Sequence, residues 1–338
     1  MTAYLVAGAA GPSDGEYDAD IIILALDRVE ETLAAIASAE HQTGVRRHIF
    51  VLDQGSRPWA LVRLAAVARD RCDLTLLAVP INLGVAGGRD LISGLGHGRA
   101  IVALDNDAEF ATPDTVANMV AALDAEPQLA AIGCRIINYT DGSDDRSSWG
   151  YPLKLLPCAA ESFDAVTYVG AGHAIRRTAW EQAGGYDPAL FFCWEEFDFC
   201  LRAIALGWRI RYRGDIVIRH KVAPEQRLCW SAARWFYFVR NRLYIERKLG
   251  RPWLALTPRV AGYLLKGAWN GRLPQTMRAI LAAANMMPRS ISQSMPAAGA
   301  SYLTRNDYAH RGSFFYRIMR EVLADVGHIP DAPGTVKR

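Results

Sequence analysis

Four short apolar runs, each followed by a turn and an amphipathic stretch, constrain this chain more than any other feature. The first is Ile21-Ile22-Ile23-Leu24-Ala25-Leu26, and others lie at 48–52, 74–79 and 100–104. Uninterrupted runs of this length suit strands buried on both faces of a sheet. Helices are predicted over 28–40 and from the turn Asp53-Gln54-Gly55-Ser56 to about Arg71. Strand–helix alternation at this spacing predicts an α/β fold with an open sheet flanked by helices. In such sheets ligands bind beyond the carboxyl ends of the strands. Those ends carry Asp27, Asp53, Asn82 and Asp105-Asn106-Asp107.

Beyond residue 129 the pattern loosens. Strands are expected at 129–137 and 165–169, with a long Asp/Ser/Gly/Pro-rich loop at 138–164 that can lie over the site. Helices are expected at 194–207, 227–249, 253–270 and 273–287. The expected organisation is an N-terminal extension (1–19), a main α/β domain (20–224), a basic amphipathic helical appendage (225–288) and a polar, mobile tail (289–338). With 51% hydrophobic and 22% charged residues, a wholly disordered or fibrous chain is excluded. The formal charge of +3 conceals an asymmetry, because 225–289 holds twelve Lys/Arg against two acids, Glu225 and Glu246. A basic third on an acidic body points to an anionic partner. No apolar run of about 18 residues occurs, so a transmembrane helix is not expected. Met1 to Gly11 lacks the basic start of a signal peptide. The six cysteines are scattered without a C-x-x-C pair. That pattern predicts reduced thiols, a cytoplasmic setting and no zinc site.

Two carboxylates at i and i+2 beyond a strand end, Asp105 and Asp107, can reach one hard divalent ion such as Mg²⁺ or Mn²⁺. Taken alone, a D-x-D is equally a loop feature. Trp194-Glu195-Glu196-Phe197-Asp198 opens a helix whose apolar stripe is Phe197, Leu201, Ile204 and Trp208. Its acids lie off that stripe. A carboxylate at a helix N-terminus is held ionised, which suits a general base. The alternative for Asp198 is an i,i+4 pair with Arg202. Trp194 can stack on a ligand or serve as a core aromatic. His220, after the apolar run 216–218, can be a ligand or a satisfied histidine. His173, after Gly170-Ala171-Gly172, reads foremost as a loop residue.

Taken in order, these pieces resemble an inverting glycosyltransferase of family 2 with the GT-A fold. The matching segments are 21–26 before Asp27-Arg28, Val51-Leu52-Asp53-Gln54-Gly55-Ser56, Asn82-Leu83-Gly84-Val85-Ala86-Gly87-Gly88-Arg89 and Leu104-Asp105-Asn106-Asp107. Gly184-Gly185-Tyr186-Asp187, Glu195-Glu196-Phe197-Asp198, His220 and Arg240-Asn241-Arg242-Leu243 complete the series. The resemblance covers about 20–250, and its nearest flavour is the rhamnosyl- and galactofuranosyl-transferase type of bacterial surface polysaccharide synthesis. It implies a nucleotide-diphosphate sugar donor, UDP- or dTDP-linked, and a glycan or lipid-linked glycan acceptor. It implies donor contacts from Asp27, Asp53, Asn82, Arg89, Asp105 and Arg240, with Asp53 on the nucleobase. It also implies a Mg²⁺ or Mn²⁺ ion on Asp107 and His220, and Glu196 as catalytic base. Glu196 stands where the family usually carries Asp. The acceptor side would be Trp194, Glu195, Asp198 and His173.

In 227–249, Leu228, Ala232, Trp235, Phe236, Val239 and Leu243 share one stripe, and Arg227, Arg234, Arg240, Arg247 and Lys248 lie off it. With Trp230, Trp235, Tyr237 and Tyr244, this helix is expected to lie on an anionic membrane surface. That gives a peripheral station at the inner face of the cytoplasmic membrane. The alternative is packing on the main domain. No nucleic-acid motif is present. A nicotinamide dehydrogenase would need G-x-G-x-x-G after the first strand, where Asp27-Arg28 stands. A sugar nucleotidylyltransferase and a non-catalytic polysaccharide- or membrane-binding protein of the same fold are the competing readings.

Overall fold

The computed structural model describes residues 2–221, 231–286, 295–313 and 316. A ten-stranded mixed sheet organises the chain. Its first half is built as the apolar runs predict, from β2 (Ala19–Ala25), β3 (Arg47–Asp53), β4 (Leu74–Ala78) and β5 (Ala100–Leu104). These four are parallel. Ile21, Ile23, Val51, Leu76 and Val102 fill the layer on one face, and Ile22, Phe50, Leu52 and Ile101 the other. The crossovers are α1 (Val29–Glu40), α2 (Pro58–Ala68) and α3 (Gly84–Ser93). All three open where the parallel strands end, so their N-termini line the ligand edge.

The second half reverses direction. After β6 (Ala108–Phe110), α4 (Thr115–Ala125) and β7 (Leu129–Asn138), the chain returns through β8 (Ser162–Ala165) and β9 (Gly172–Arg176). Strand β9 inserts between β5 and β7, antiparallel to both. Then come α5 (Arg177–Ala183), α6 (Glu195–Ala205) and β10 (Arg209–His220). The strand predicted at 165–169 differs from what forms. Pairing with β10 ends at Ala165, and Val166 and Tyr168 are buried as core side chains on irregular backbone.

Two segments expected outside the main domain are joined to it. Residues 4–8 form β1, the edge strand antiparallel to β4. In the expected tail, α10 (Ala297–Asn306) packs back on the sheet. There the buried Tyr302 hydroxyl accepts from Ile210 N–H at 3.1 Å and reaches the Ala165 carbonyl at 3.0 Å.

The appendage is a three-helix unit of α7 (Ala232–Lys248), α8 (Trp253–Trp269) and α9 (Leu273–Asn285). Ser231 caps α7 through Arg234 N–H; Arg227, Leu228 and Trp230 lie outside the described residues. The α7 stripe is not a surface. Trp235, Val239 and Leu243 pack with Leu256, Ala279 and Ala283 in a core of their own, and Trp235 Nε1 donates to Thr276 Oγ1 at 2.8 Å. Tyr244 is fully buried and Lys248 is nearly so. The stripe thus packs within the appendage, and the alternative of packing on the main domain holds through another face of the helix, where Tyr244 and Ile245 meet Ala86, Leu190 and Leu201.

Candidate active site

Strand β5 ends at Leu104, and Asp105-Asn106-Asp107 turns into β6. Because β10 pairs antiparallel with β6, His220 lies opposite Ala108. That pairing brings together residues more than a hundred positions apart. One ligand atom from each of Asp105, Asp107 and His220 lies within 4.8 Å of the others. His220 Nε2 is 3.3 Å from Asp107 Oδ1, and its Nδ1 is 3.1 Å from Asp145 Oδ2. Arg28 Nη1 donates to Asp107 Oδ2 at 2.7 Å. Burial works against ionisation of Asp107, yet His220 and Arg28 together hold its carboxyl well below the usual range. Two carboxylates and an imidazole are a fitting donor set for Mn²⁺ or Mg²⁺. Asp145, on the far side of the ring, can take the Nδ1 proton and would leave Nε2 toward an ion held at this site. Sequence reasoning missed Asp145. Its signal was an Asp followed two residues on by Ser147-Ser148, whose N–H groups it accepts.

Helix α6 sets the second carboxylate. Its N-terminal residues Glu195 and Glu196 begin directly after Trp194, which is in the left-handed region at φ 74°. Glu196 accepts from Arg89 Nη1 at 3.2 Å. Arg89 Nη2 donates to Asp105 Oδ1 and to the Gly170 carbonyl, each at 2.7 Å. One buried guanidinium therefore ties the metal-side acid to the helix-side acid. A Cβ at Gly170 would lie 2.5 Å from Glu196 Oε1, so a side chain there would push the Glu196 carboxylate out of its present place. Burial pushes the Glu196 carboxyl above its ordinary value, and the Arg89 charge opposes that rise. Glu195 is buried beside it and is pushed up further, by burial and then by the Glu196 charge.

An open cleft of about 350 Å³ runs from this cluster along the strand ends, lined by Leu26, Arg28, Gln54, Asn82, Asp105 and Phe191 among others. That is ligand-sized. Gln54 accepts from Leu83 N–H and Asn82 from Gly84 N–H, which shapes the turn into α3. Gly84 has φ 74°, and a Cβ there would lie 2.1 Å from the Phe191 carbonyl.

Several residues expected to touch ligand are committed elsewhere. Asp53 is buried and caps its own turn through Gly55 and Ser56 N–H with Oδ1, while its Oδ2 has no hydrogen-bond partner among the described residues. Asp27 faces Arg57, whose backbone N–H lowers its pKa. Arg89 is 2% exposed and clamps carboxylates rather than a nucleotide. His173 sits on the central strand β9, stacked on Tyr168 and bonded to the Tyr186 hydroxyl, so it is no acceptor contact. Burial holds its pKa well below the ordinary value. Asp198 accepts from Arg202, as the i,i+4 alternative had it, and from Lys248. Trp194 packs on Phe238 and donates to its carbonyl.

Arg240 is likewise not at the cleft. It donates to the carbonyls of Ala189 and Leu190. It belongs to a clamp on 187–194, where Phe191, Cys193 and Trp194 all have positive φ. Such backbone costs of order 1–3 kcal/mol per residue and needs outside support. The Asn241 amide nitrogen supplies it, 2.8 Å from the carbonyls of Leu190, Phe192 and Cys193. Tyr244 and Lys248 both donate to Asp187 at 2.9 Å. Asn241→Ala removes the two amide protons that these three carbonyls share, and stability should fall by about 2–3 kcal/mol, read by urea denaturation. Asn241→Asp keeps the volume but not the donors and should do no better. An Asp variant as stable as the parent would show that packing alone matters there.

The family model for glycosyl transferase family group 2 matches residues 100–304. A search of curated proteins finds no match. Among solved structures, the chain is similar to a mannosyltransferase from Pyrobaculum calidifontis in complex with GDP-Man and Mn²⁺, at 18% identity and a TM-score of 0.55. That match covers 93% of this chain and 87% of that one. It is also similar to GalNAc-T7 with UDP, GalNAc and Mn²⁺, at 14% identity and a TM-score of 0.58, over 94% of this chain and 59% of that one. At these identities the likeness is one of fold: the mixed sheet with flanking helices is the GT-A architecture.

Proposed function

The chain belongs to glycosyl transferase family group 2, and on that premise we propose that it moves a sugar, with inversion, from a nucleoside-diphosphate donor to a glycan or lipid-linked glycan hydroxyl. The observation that carries this reading is the Arg89 bridge, which holds a metal-binding group and a base-like carboxylate on one guanidinium. The setting we propose is bacterial surface polysaccharide synthesis, at the cytoplasmic face of a membrane. Its resemblance to rhamnosyl- and galactofuranosyl-transferases favours a UDP or dTDP donor.

In this reading the donor lies in the cleft with its diphosphate toward Asp105, Asp107 and His220. A bound Mg²⁺ or Mn²⁺ would neutralise charge developing on the leaving diphosphate. Arg28 adds a second cation at the same place. The acceptor oxygen forms its bond to the anomeric carbon as the carbon–oxygen bond to the diphosphate breaks, and the nucleoside diphosphate leaves with that electron pair. Glu196 takes the hydroxyl proton and later gives it to solvent. Its raised pKa makes it a stronger base than an ordinary glutamate. Arg89 orients Glu196 without touching substrate.

Release of nucleoside diphosphate from UDP- and dTDP-sugars, measured with Mn²⁺, Mg²⁺ and chelator, tests the reading. Asp107→Asn should retain the fold and lose most metal-dependent turnover, because an amide lacks the charge that holds the ion. Turnover near the parent rate at limiting Mn²⁺ would overturn the assignment. The anomeric configuration of the product, read by NMR, tests inversion.

A further inference from the structure

Helices α8 and α9 are apolar on the faces they bury and again on the faces they expose. On α8, Leu254, Pro258, Ala261, Leu265 and Trp269 recur every three or four residues, and all are exposed. On α9, Leu273, Met277 and Leu281 do the same. Leu254 is 82% exposed, Trp269 71% and Leu281 63%. Isolated exposed apolar residues are normal, but stripes of this kind mark an interaction surface. The inward faces are already accounted for by Leu256, Ala279 and Ala283 in the three-helix core.

Charge identifies the partner. From 247 to 306 the sequence contains no Asp or Glu, while Arg251, Arg259, Lys266, Arg272 and Arg278 fall on or beside these two helices. The nearest acid in sequence, Glu246, is buried and pairs with Arg242, Arg251 and Arg259. We propose that the outward stripes of the α8–α9 hairpin form a docking face for an anionic lipid bilayer, with Leu265, Trp269 and Met277 entering the interface and the flanking cations meeting the headgroups.

A second copy of the chain is disfavoured as occupant. An isologous contact would set these two basic helices, which carry no acid of their own, against themselves. The side chains stand well out from the helices, Leu254 at 82% and Trp269 at 71% exposure, which suits a fluid surface that conforms to them. The hairpin lies on the bilayer rather than crossing it: no helix among the described residues is long and apolar enough to span. This face replaces the α7 stripe, which is buried. The proposal specifies the membrane station suggested above and does not depend on glycosyl transfer.

The test is flotation of the full chain with phosphatidylglycerol/phosphatidylcholine vesicles, against phosphatidylcholine alone, at low and high salt. The parent chain should float with the anionic vesicles, not with the zwitterionic ones, and less at high salt. The triple variant L265S/W269S/M277S alters exposed positions only and should melt like the parent. Its partition should fall by about tenfold or more, since burying even one large apolar side chain is worth that factor. K266Q/R278Q should weaken binding and flatten its salt dependence. Donor hydrolysis without vesicles should be unchanged in both variants, which separates this proposal from the transferase reading. Failure of the parent to float with anionic vesicles at low salt overturns the proposal. So does equal flotation of the triple variant. A parent dimer that the triple variant abolishes in sedimentation velocity, without vesicle binding, would assign the face to a second copy.

Discussion

Glu196→Gln is expected to lower kcat by about 10²–10⁴, the usual contribution of a positioned general base, with donor affinity close to the parent value. The amide keeps the shape and can still face Arg89 Nη1, but it cannot take a proton. The neighbouring acids provide the contrast. Asp198→Asn should act mainly on stability, because Asp198 serves Lys248 and Arg202 rather than the cleft. Glu195→Gln should change kcat little, because burial and the adjacent Glu196 charge already favour its protonated form. Single-turnover rates and donor Kd for the three variants decide the matter. A larger kcat loss in Glu195→Gln than in Glu196→Gln would move the base by one residue.

Arg89→Gln should be the most damaging change to the fold of the site. The guanidinium is 2% exposed and pairs with Asp105 and Glu196. Removing one side of a buried ion pair typically costs about 3–5 kcal/mol, and here two carboxylates lose their partner. Arg89→Lys should recover little, since an ammonium lacks the fork that reaches both acids and the Gly170 carbonyl. The pH signature has a definite sign. Arg89 opposes the burial that raises the Glu196 pKa, so its loss raises that pKa further. The acidic limb of the rate profile should move to higher pH. The folded variant would bind more protons than the unfolded chain, so its stability should fall as pH rises and recover as pH is lowered. Urea denaturation across pH, with the kcat profile, reads both. A limb that stays in place would mean that Arg89 does not act on Glu196.

Much of this was legible because strands and motifs are local. The runs at 21–26, 48–52, 74–79 and 100–104 name β2 to β5 within a residue or two. Strand β9 was not legible. Gly172-His173-Ala174-Ile175-Arg176 is short and mixed, and its placement comes from pairing with β5 and β7. Asp105, Asp107, Glu196 and His220 stand out by motif, and the fold gathers them around Arg89 and Arg28. Arg89, Arg240 and His173 have the chemistry of ligand contacts, yet each is spent on holding the site. Only burial distinguishes the two uses, and burial is a property of distant residues. Asn241 and Lys248 illustrate the converse. They read as one face of a helix, and their partners lie about fifty positions away.

Helix α7 belongs to two structures at once. One face grips 187–194 through Arg240, Asn241, Tyr244 and Lys248, and another forms the core beneath α8 and α9 through Trp235, Val239 and Leu243. No loop intervenes between those faces, so the segment that delivers Glu196 and the outer hairpin turn together as one body. Docking the hairpin on a surface would then also set the heading of the cleft. Tumbling would be removed from the search for acceptor, which would become lateral travel in two dimensions at a fixed attitude. Only hydroxyls held at the matching height and tilt would be presented to the base. Acceptor choice would then be set partly by this mounting, upstream of any contact within the cleft.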